Sequence, residues 1–462
     1  MASVDATIVV LALPSISEEL NSPLYLTVWI IMGYTLVISV FTTQLGRIGD
    51  IYGRAKMYNI GFIIFTLGSA LCGFAINTLN LIIARVIQAI GGALLQANSG
   101  AIIADNVPRN QVGKAFGYLA LGWNAGATLG VVLGGLIATY LGWRFIFWIN
   151  IPIGIFAVLS GLKVLKDKVR INAKLDMIGA FSLFLSLLFF SLSSSYVTIE
   201  GLNSVNILLI ILGILFLIIF ILIENNIKYP LIDLRIFKNK VLSASLFALL
   251  FQSLGALSLS FLLTLFLQGI LGLNPFETSI ALVPSYIISA ILSPYSGRLS
   301  DRYGARIVAT VGLSLIALSI LLYILLLDNN IKIYEIILIS ILTGIGSAMF
   351  YPANNSAVMG NARMEFYGSI SGMMRTLSNI GILGSYALSI SISSLTIPRS
   401  IALEVFSSSI SIGDISPEFL LGIKEAMIVS LVLILISIIL SVIRGKEERI
   451  LNGRTSNKNN DI

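Results

Sequence analysis

Apolar runs of about twenty residues follow one another along nearly the whole chain. That pattern constrains the fold more than any other feature. A run of this length crosses the hydrocarbon core of a bilayer as a single helix. Within lipid, every backbone N–H and C=O must find its partner inside its own element, so the runs must be helices. Charged residues make up 11% of the chain and hydrophobic residues 57%, whereas soluble domains carry about 25% charged residues. The expected class is an all-α polytopic membrane protein.

Fourteen spans can be drawn, at roughly 2–20, 25–45, 57–76, 79–103, 112–140, 144–163, 175–193, 204–223, 241–269, 277–297, 305–327, 332–355, 366–393 and 422–443. Loop charge tests the count. With both termini cytoplasmic, the inner loops and tail hold 23 of the 29 Lys and Arg residues. The outer loops hold Arg144, Lys332, Arg399 and Lys424, and Arg85 and Arg375 remain within spans. This is the asymmetry of the positive-inside rule, and a one-span error would push the later basic clusters outside. One segment is awkward: only four residues precede Asp5. Either the first helix is short or the true start lies upstream. The N-terminus lacks a basic residue before its apolar stretch, so it does not read as a signal peptide. The polar tail, 444–462, is expected to be disordered.

Composition also excludes functions. The net charge of +7 comes from short loops that set topology, so nucleic acid is not an expected partner. The chain has no histidine and one cysteine, Cys72. That removes histidine relays, histidine metal sites and an intrachain disulfide. No G-x-x-x-x-G-K-[ST] string occurs, so the chain carries no ATP motor of that kind. No metal cluster or nucleophile constellation suggests an enzyme.

A repeat organises the chain. "GRIGDIYGRAK" begins at Gly46 and "GRLSDRYGARI" at Gly297, 251 residues later. "IGGALLQAN" from Ile90 aligns with "IGSAMFYPA" from Ile345. At that second offset Gly113, Gly117, Asn124 and Gly126 meet Gly368, Gly372, Asn379 and Gly381. The chain reads as two related six-helix bundles, 1–165 and 241–443. A linker, 166–240, carries two additional transmembrane helices. Same-direction repeats around a central site are a transporter architecture.

Several polar residues fall where lipid makes them costly. Arg85 lies inside the fourth span, at roughly 2.5–3.5 kcal/mol on insertion scales, so a bundle interior and a partner are expected. Gln88, one turn on, shares its face and is expected to line the substrate cavity. Asp5 is the clearest buried-acid candidate, although it also reads as a helix-start carboxylate facing the cytoplasm. Arg375 lies near mid-bilayer with no obvious acidic partner; it could pair with an acid or attract an anionic substrate. Trp29, Tyr34, Tyr286 and Tyr351 could line a cavity or simply pack. Gln252, Gln268, Asn354 and Asn355 are stronger cavity candidates, because an amide in a membrane needs partners; Asn124 joins them. Gly122, Gly126, Gly130 and Gly134 recur every four residues, with Gly135 beside the last. They offer one helix face for close packing.

These strings carry a family resemblance over nearly the whole chain. The repeated turn resembles the signature loop of the major facilitator superfamily, approximately G-x-x-x-D-R-x-G-R-[KR]-[KR]. Gly46, Asp50, Gly53, Arg54 and Lys56 match it; Ile51 and Ala55 depart. The resemblance implies a cytoplasmic gate at Gly46, Arg47, Asp50, Gly53, Arg54 and, in the second copy, Asp301, with Asp50 and Arg54 latching the two bundles. A topogenic loop is the plainer alternative. Arg85 resembles the family's R-x-x-x-G motif, tied to proton coupling, with Ala89 where glycine is frequent.

"MASVDATIVVLALPSI" resembles the first-span motif of the fourteen-span drug:proton antiporter branch, with Val10 in place of its asparagine. "GWRFIFWINIPIG" from Gly142 resembles that branch through Trp143, Arg144, Phe147, Ile149, Asn150, Pro152, Ile153 and Gly154. It reads as fixing the start of the sixth span rather than as chemistry. The glycine stripe resembles the antiporter motif, G-P-x-x-G-G, with Val131 where the proline belongs.

The resemblance implies a secondary active transporter exporting small, mostly apolar or cationic, drug-like compounds in exchange for protons. Asp5 and Arg85 would couple the proton. Its energy source would be the proton gradient, with no cofactor, and its partners a small-molecule substrate, protons and the lipid bilayer. A monomer in the cell membrane is expected. One proton moving through 100 mV releases about 2.3 kcal/mol, close to the roughly 2.7 kcal/mol of a hundredfold gradient of neutral solute. The alternatives are a uniporter or importer on the same fold, or a membrane sensor or scaffold.

Overall fold

The computed structural model describes residues 1–106, 112–165, 175–200, 202–227, 230, 237–361, 367–396 and 416–445. Its elements are helices. The first eight are α1 (Ala2–Glu19), α2 (Leu24–Thr27), α3 (Trp29–Tyr52), α4 (Arg54–Gly73), α5 (Thr78–Asn106), α6 (Val112–Tyr140), α7 (Arg144–Trp148) and α8 (Asn150–Val164). Two more, α9 (Met177–Glu200) and α10 (Ser204–Asn226), precede α11 (Lys240–Thr264), which ends in a π-helical turn over Leu265–Ile270. Then come α12 (Pro275–Tyr303), α13 (Ala305–Leu326), α14 (Ile333–Gly360), α15 (Tyr367–Thr396) and α16 (Ser416–Ile443).

Among the described residues, 12 helices are long and apolar enough to cross a membrane. Two further helices stand where the first and thirteenth spans were expected. One is α1, whose 18 residues include Asp5, Glu18 and Glu19; the other is the serine-rich α15, which carries Arg375. The tail from residue 446 lies outside the described residues.

Local chemistry sets the boundaries. Asn274 accepts a hydrogen bond from Glu277 N at 2.9 Å, Glu277 Oε2 accepts from Asn274 N at 3.0 Å, and Pro275 opens α12. That is a capping box with proline at the first helical position. The two copies of the repeated string make the same turn. Gly53 closes α3 at φ 110° and Gly304 closes α12 at φ 89°. Their N–H groups donate to Gly49 O at 2.9 Å and Ser300 O at 3.0 Å. Both φ values lie where a Cβ is disfavoured, which is why both copies place glycine at that turn.

The glycine stripe of α6 divides its work between two neighbours. A Cβ on Gly126 would stand 3.1 Å from Ser3 Cβ, and one on Gly134 3.0 Å from Ile8. On Gly130 it would meet Thr7 Oγ1 at 2.1 Å and Val4 O at 2.6 Å. These three glycines let α1 lie directly on α6. Gly135 instead faces α12, where a Cβ would stand 2.6 Å from Ser279 Oγ. Gly122 has nothing within 4 Å, so the stripe is one residue shorter than its spacing suggests.

The two helices of the linker do more than connect. Trp29 Nε1 donates to Ser195 Oγ at 2.7 Å, and Gln44 Nε2 to Asp176 O at 2.7 Å, tying α9 to α3. Ser194 Oγ donates to Ala387 O at 2.6 Å, tying α9 to α15. The outer layer is α10, which packs on α9 through Ser186 Oγ to Gly213 O at 2.9 Å and stacked Phe189 and Phe216. Its other face exposes Ile207, Leu208, Ile211, Ile218 and Leu222, as a lipid-facing helix should.

Helices from before and after the linker also meet directly. At one end of the bundle Phe276 N donates to Thr139 Oγ1 at 3.2 Å, and Gln268 Nε2 to Leu11 O at 3.3 Å. Deeper in, Thr43 Oγ1 and Thr376 Oγ1 are 2.8 Å apart, and Asn379 Nδ2 reaches Gln96 Oε1 at 3.5 Å.

Candidate functional site

The site is assembled by α1. Ser3 Oγ donates to Trp123 O at 2.6 Å and Thr7 Oγ1 to Ala127 O at 3.2 Å. With the glycine stripe, these bonds fix which face of α1 lies on α6. Asp5 falls off that face and points among α3, α4, α5 and α8. On α4, Gly68 lets α5 approach so closely that a Cβ there would stand 2.6 Å from Gln88 Cα. Ser69 thereby reaches the Gln88 side chain.

Asp5 is fully buried, 0% exposed, and Arg85 is 1% exposed. Arg85 Nη1 donates to Asp5 Oδ2 at 2.5 Å and to Gln88 Oε1 at 2.6 Å, and its Nε donates to Ile30 O at 3.2 Å. The other carboxylate oxygen, Asp5 Oδ1, accepts from Gln88 Nε2 at 2.9 Å and from Asn150 Nδ2 at 3.3 Å. Gln88 Nε2 also donates to Ser69 Oγ at 2.6 Å. The guanidinium lies 4.0 Å from the centroid of the Tyr34 ring and 5.7 Å from that of Phe147.

Depth follows from the helix rise. The apolar part of α5 runs from Thr78 to Gly100. Arg85 is therefore about 10 Å from one end of that stretch and about 22 Å from the other. The helix-start reading of Asp5, with a carboxylate facing the cytoplasm, gives way to a carboxylate inside the bundle on a counter-ion of the same depth. Removing both charges from water is expensive, and the pair persists because geometry and extra hydrogen bonds repay it. Two polar atoms keep spare capacity: Tyr34 Oη and Asn150 Oδ1 are buried with no hydrogen-bond partner.

The remaining expected residues divide. Tyr34 and Gln88, expected in a substrate cavity, belong instead to the Asp5–Arg85 network. Trp29 is engaged with Ser195. Asn354, 0% exposed, donates from Nδ2 to Ser245 O at 3.1 Å and accepts from Arg444 Nη1 at 3.3 Å. It holds α14 to α11 and α16 rather than facing a cavity. Gln252 is 1% exposed and its Oε1 has no hydrogen-bond partner. Arg375 stands 5.3 Å from the centroid of the Trp123 ring. In the first turn, Arg47 Nη2 donates to Pro230 O in the linker, Gly46 packs against Ala97, and Arg54 opens α4 after the left-handed Gly53. The side chains of Asp50, Asn124 and Asp301 lie outside the described residues.

Asn150 and Ser69 were missed. Asn150 sits in a string that reads as a span start, and the helical path continues through Ile149, at φ −60° and ψ −25°, into α8. Its amide lies on the face turned to Asp5. The available signal was an amide in an apolar run, which must find a partner.

Comparison with known proteins follows the same lines. The description of the Major Facilitator Superfamily matches residues 1–386. The riboflavin transporter RibZ of Clostridioides difficile is 31% identical over 385 residues, covering 82% of each chain. The putative multidrug resistance protein MdtD of Escherichia coli is 31% identical over 324 residues, covering 69% of this chain and 68% of its own. Among solved structures, a bacterial homologue of the human lysosomal transporter Spinster, inward-facing and unoccupied, superposes with a TM-score of 0.67 at 15% identity. It covers 96% of this chain and 94% of its own, and shares the fold.

Proposed function

The chain belongs to the Major Facilitator Superfamily, a family of membrane transporters and not of enzymes, and we propose that it exports small organic compounds in exchange for protons. The observation that carries this reading is the buried Asp5–Arg85 pair. A carboxylate at that depth is costly and needs a use. With Asp5 ionised, Arg85 neutralises it. When Asp5 takes a proton, Arg85 loses its counter-ion, but Gln88 Oε1, already 2.6 Å from Arg85 Nη1, keeps it in place. The pair thus has two states that differ by one proton, as a coupling site requires.

The halves would rock about the bundle centre, with the repeated turns at Gly53 and Gly304 acting at the cytoplasmic face and Asp50 and Arg54 latching it. Fourteen spans, a cytoplasmic C-terminus, a monomer and the cell membrane complete the proposal. The names of the relatives leave the cargo open, since one transports riboflavin and another is a putative multidrug resistance protein. Val131, in place of the antiporter proline, favours one second reading: a uniporter on the same fold.

Proteoliposomes loaded with acidic buffer separate the two. Under antiport, an acid lumen drives fluorescein, rhodamine 123 or riboflavin inward above the external concentration, and collapsing the gradient releases it. Equilibration that ignores the gradient would make the protein a uniporter.

A further inference from the structure

We infer that the substrate is a planar aromatic anion, bound against Arg375 and Trp123. This rests on the transporter reading above and names the cargo. Arg375 lies eight residues into α15 and Trp123 eleven into α6, both more than about 10 Å from those helix starts. They come from helices on opposite sides of the linker and meet as cation over ring at 5.3 Å. Among the described residues Arg375 has no ion pair and no hydrogen bond. A guanidinium at that depth without a counter-charge is unfavourable, and a cavity or an anion must supply what the protein does not.

A second observation points to a ligand at the same place. Gln252 is 1% exposed and its Oε1 has no hydrogen-bond partner. Tyr351 lies beside Gln252, Ser253 and Arg375, so Gln252 belongs to the same cluster. Tyr286, Tyr351 and Arg375 are deep in the bundle yet only half-buried, so they border an internal space. The cluster offers a planar cation with free donors, a buried acceptor and an indole face. Its complement carries a negative group for Arg375, an N–H or O–H for Gln252 and a flat ring for Trp123.

The charge assignment departs from the apolar or cationic cargo expected from sequence. The one carboxylate described at this depth, Asp5, is committed to Arg85, so a cation entering the space meets Arg375 and no acid. Energetics agree. An anion leaving as a proton enters moves two charges in the direction that an inside-negative potential favours.

Two dyes that share a xanthene ring test this. Fluorescein is anionic at mildly alkaline pH and rhodamine 123 is cationic. Binding is read by fluorescence anisotropy to the full chain in lipid nanodiscs, with no gradient. Wild type is expected to bind fluorescein about tenfold or more tightly than rhodamine 123, the scale of a charge-assisted hydrogen bond. Arg375→Gln should remove that preference and leave rhodamine 123 affinity unchanged or raised. Arg375→Lys should restore part of it. Trp123→Leu should weaken both dyes, and Trp123→Phe should retain them.

Equal binding of the two dyes, preference for rhodamine 123, no binding of either, or an unchanged preference in a folded Arg375→Gln would each overturn the inference. If Arg375→Gln fails to fold, the wild-type comparison and Arg375→Lys decide. Because no gradient is present, a failure of proton coupling leaves this result untouched, and the reverse also holds.

Discussion

Arg85→Ala is expected to destabilise the protein by about 3–5 kcal/mol, the usual result of leaving one buried charge without its partner. The pair is 1% and 0% exposed and joined at 2.5 Å, so solvent cannot take the place of Arg85. The loss would appear as early thermal unfolding in detergent and as a smaller monodisperse fraction after heating. The double variant Asp5→Asn, Arg85→Gln should recover most of that stability, because both charges are then gone and the amides can bond each other. The coupling energy from this cycle is expected to be large, since the two side chains touch. Transport should not recover with stability. If Arg85→Ala unfolds at the wild-type temperature, Asp5 is not held as the geometry shows.

Gly130→Val is the second large effect. A Cβ at Gly130 would stand 2.1 Å from Thr7 Oγ1 and 2.6 Å from Val4 O. The hydroxyl can turn away but the carbonyl cannot, so α1 must lift off α6. Overpacking of this kind costs about 1–3 kcal/mol. The functional loss should exceed that, because lifting α1 draws Asp5 away from Arg85, Gln88 and Asn150 together. Gly122→Val supplies the control. It belongs to the same four-residue stripe, yet nothing lies within 4 Å of it. Dye transport and melting temperature should fall for Gly130→Val and stay near wild type for Gly122→Val. Equal behaviour of the two would mean that the stripe acts through spacing alone and not through contact with α1.

What the sequence could say followed what physics makes local. Hydropathy marks a lipid-crossing helix residue by residue, so the class and most spans were legible. The repeated turn was legible because φ 110° at Gly53 and φ 89° at Gly304 demand glycine at the same place in each copy. Asp5 and Arg85 were legible as costs: a charge in lipid must be answered, although the sequence does not say by which group. Partner identity depends on how each helix is rotated about its axis, which hydropathy does not specify. Tyr34 and Gln88 looked like cavity residues, but the rotation of α3 and α5 turns them onto Arg85 and Asp5. Asn354 looked equally free, yet the approach of α16 brings Arg444 onto its carbonyl oxygen. Asn150 stood in a string read as the start of the sixth span, and its position on that helix turns its amide onto Asp5.

The linker was the least legible part. Its serines carry little hydropathy signal, and polar atoms on a span can bond their own helix, as Ser191 Oγ does to Leu187 O at 2.8 Å. Two of their neighbours instead tie α9 to both sides of the bundle, Ser195 through Trp29 and Ser194 through Ala387. Only assembled helices reveal that choice. It means that any rocking of the halves must either carry α9 along or break one of these bonds.

The most direct test of the account is substrate-evoked proton movement in proteoliposomes carrying an inside-facing pH dye, with wild type compared to Asp5→Asn. Adding fluorescein to wild type should shift the internal pH. Asp5→Asn should abolish the shift while the protein remains folded and still binds dye, because the variant keeps the shape of the side chain and loses only the titrating group. A shift that persists in Asp5→Asn would place the proton on another group. No shift in wild type, with dye exchange intact, would contradict antiport itself.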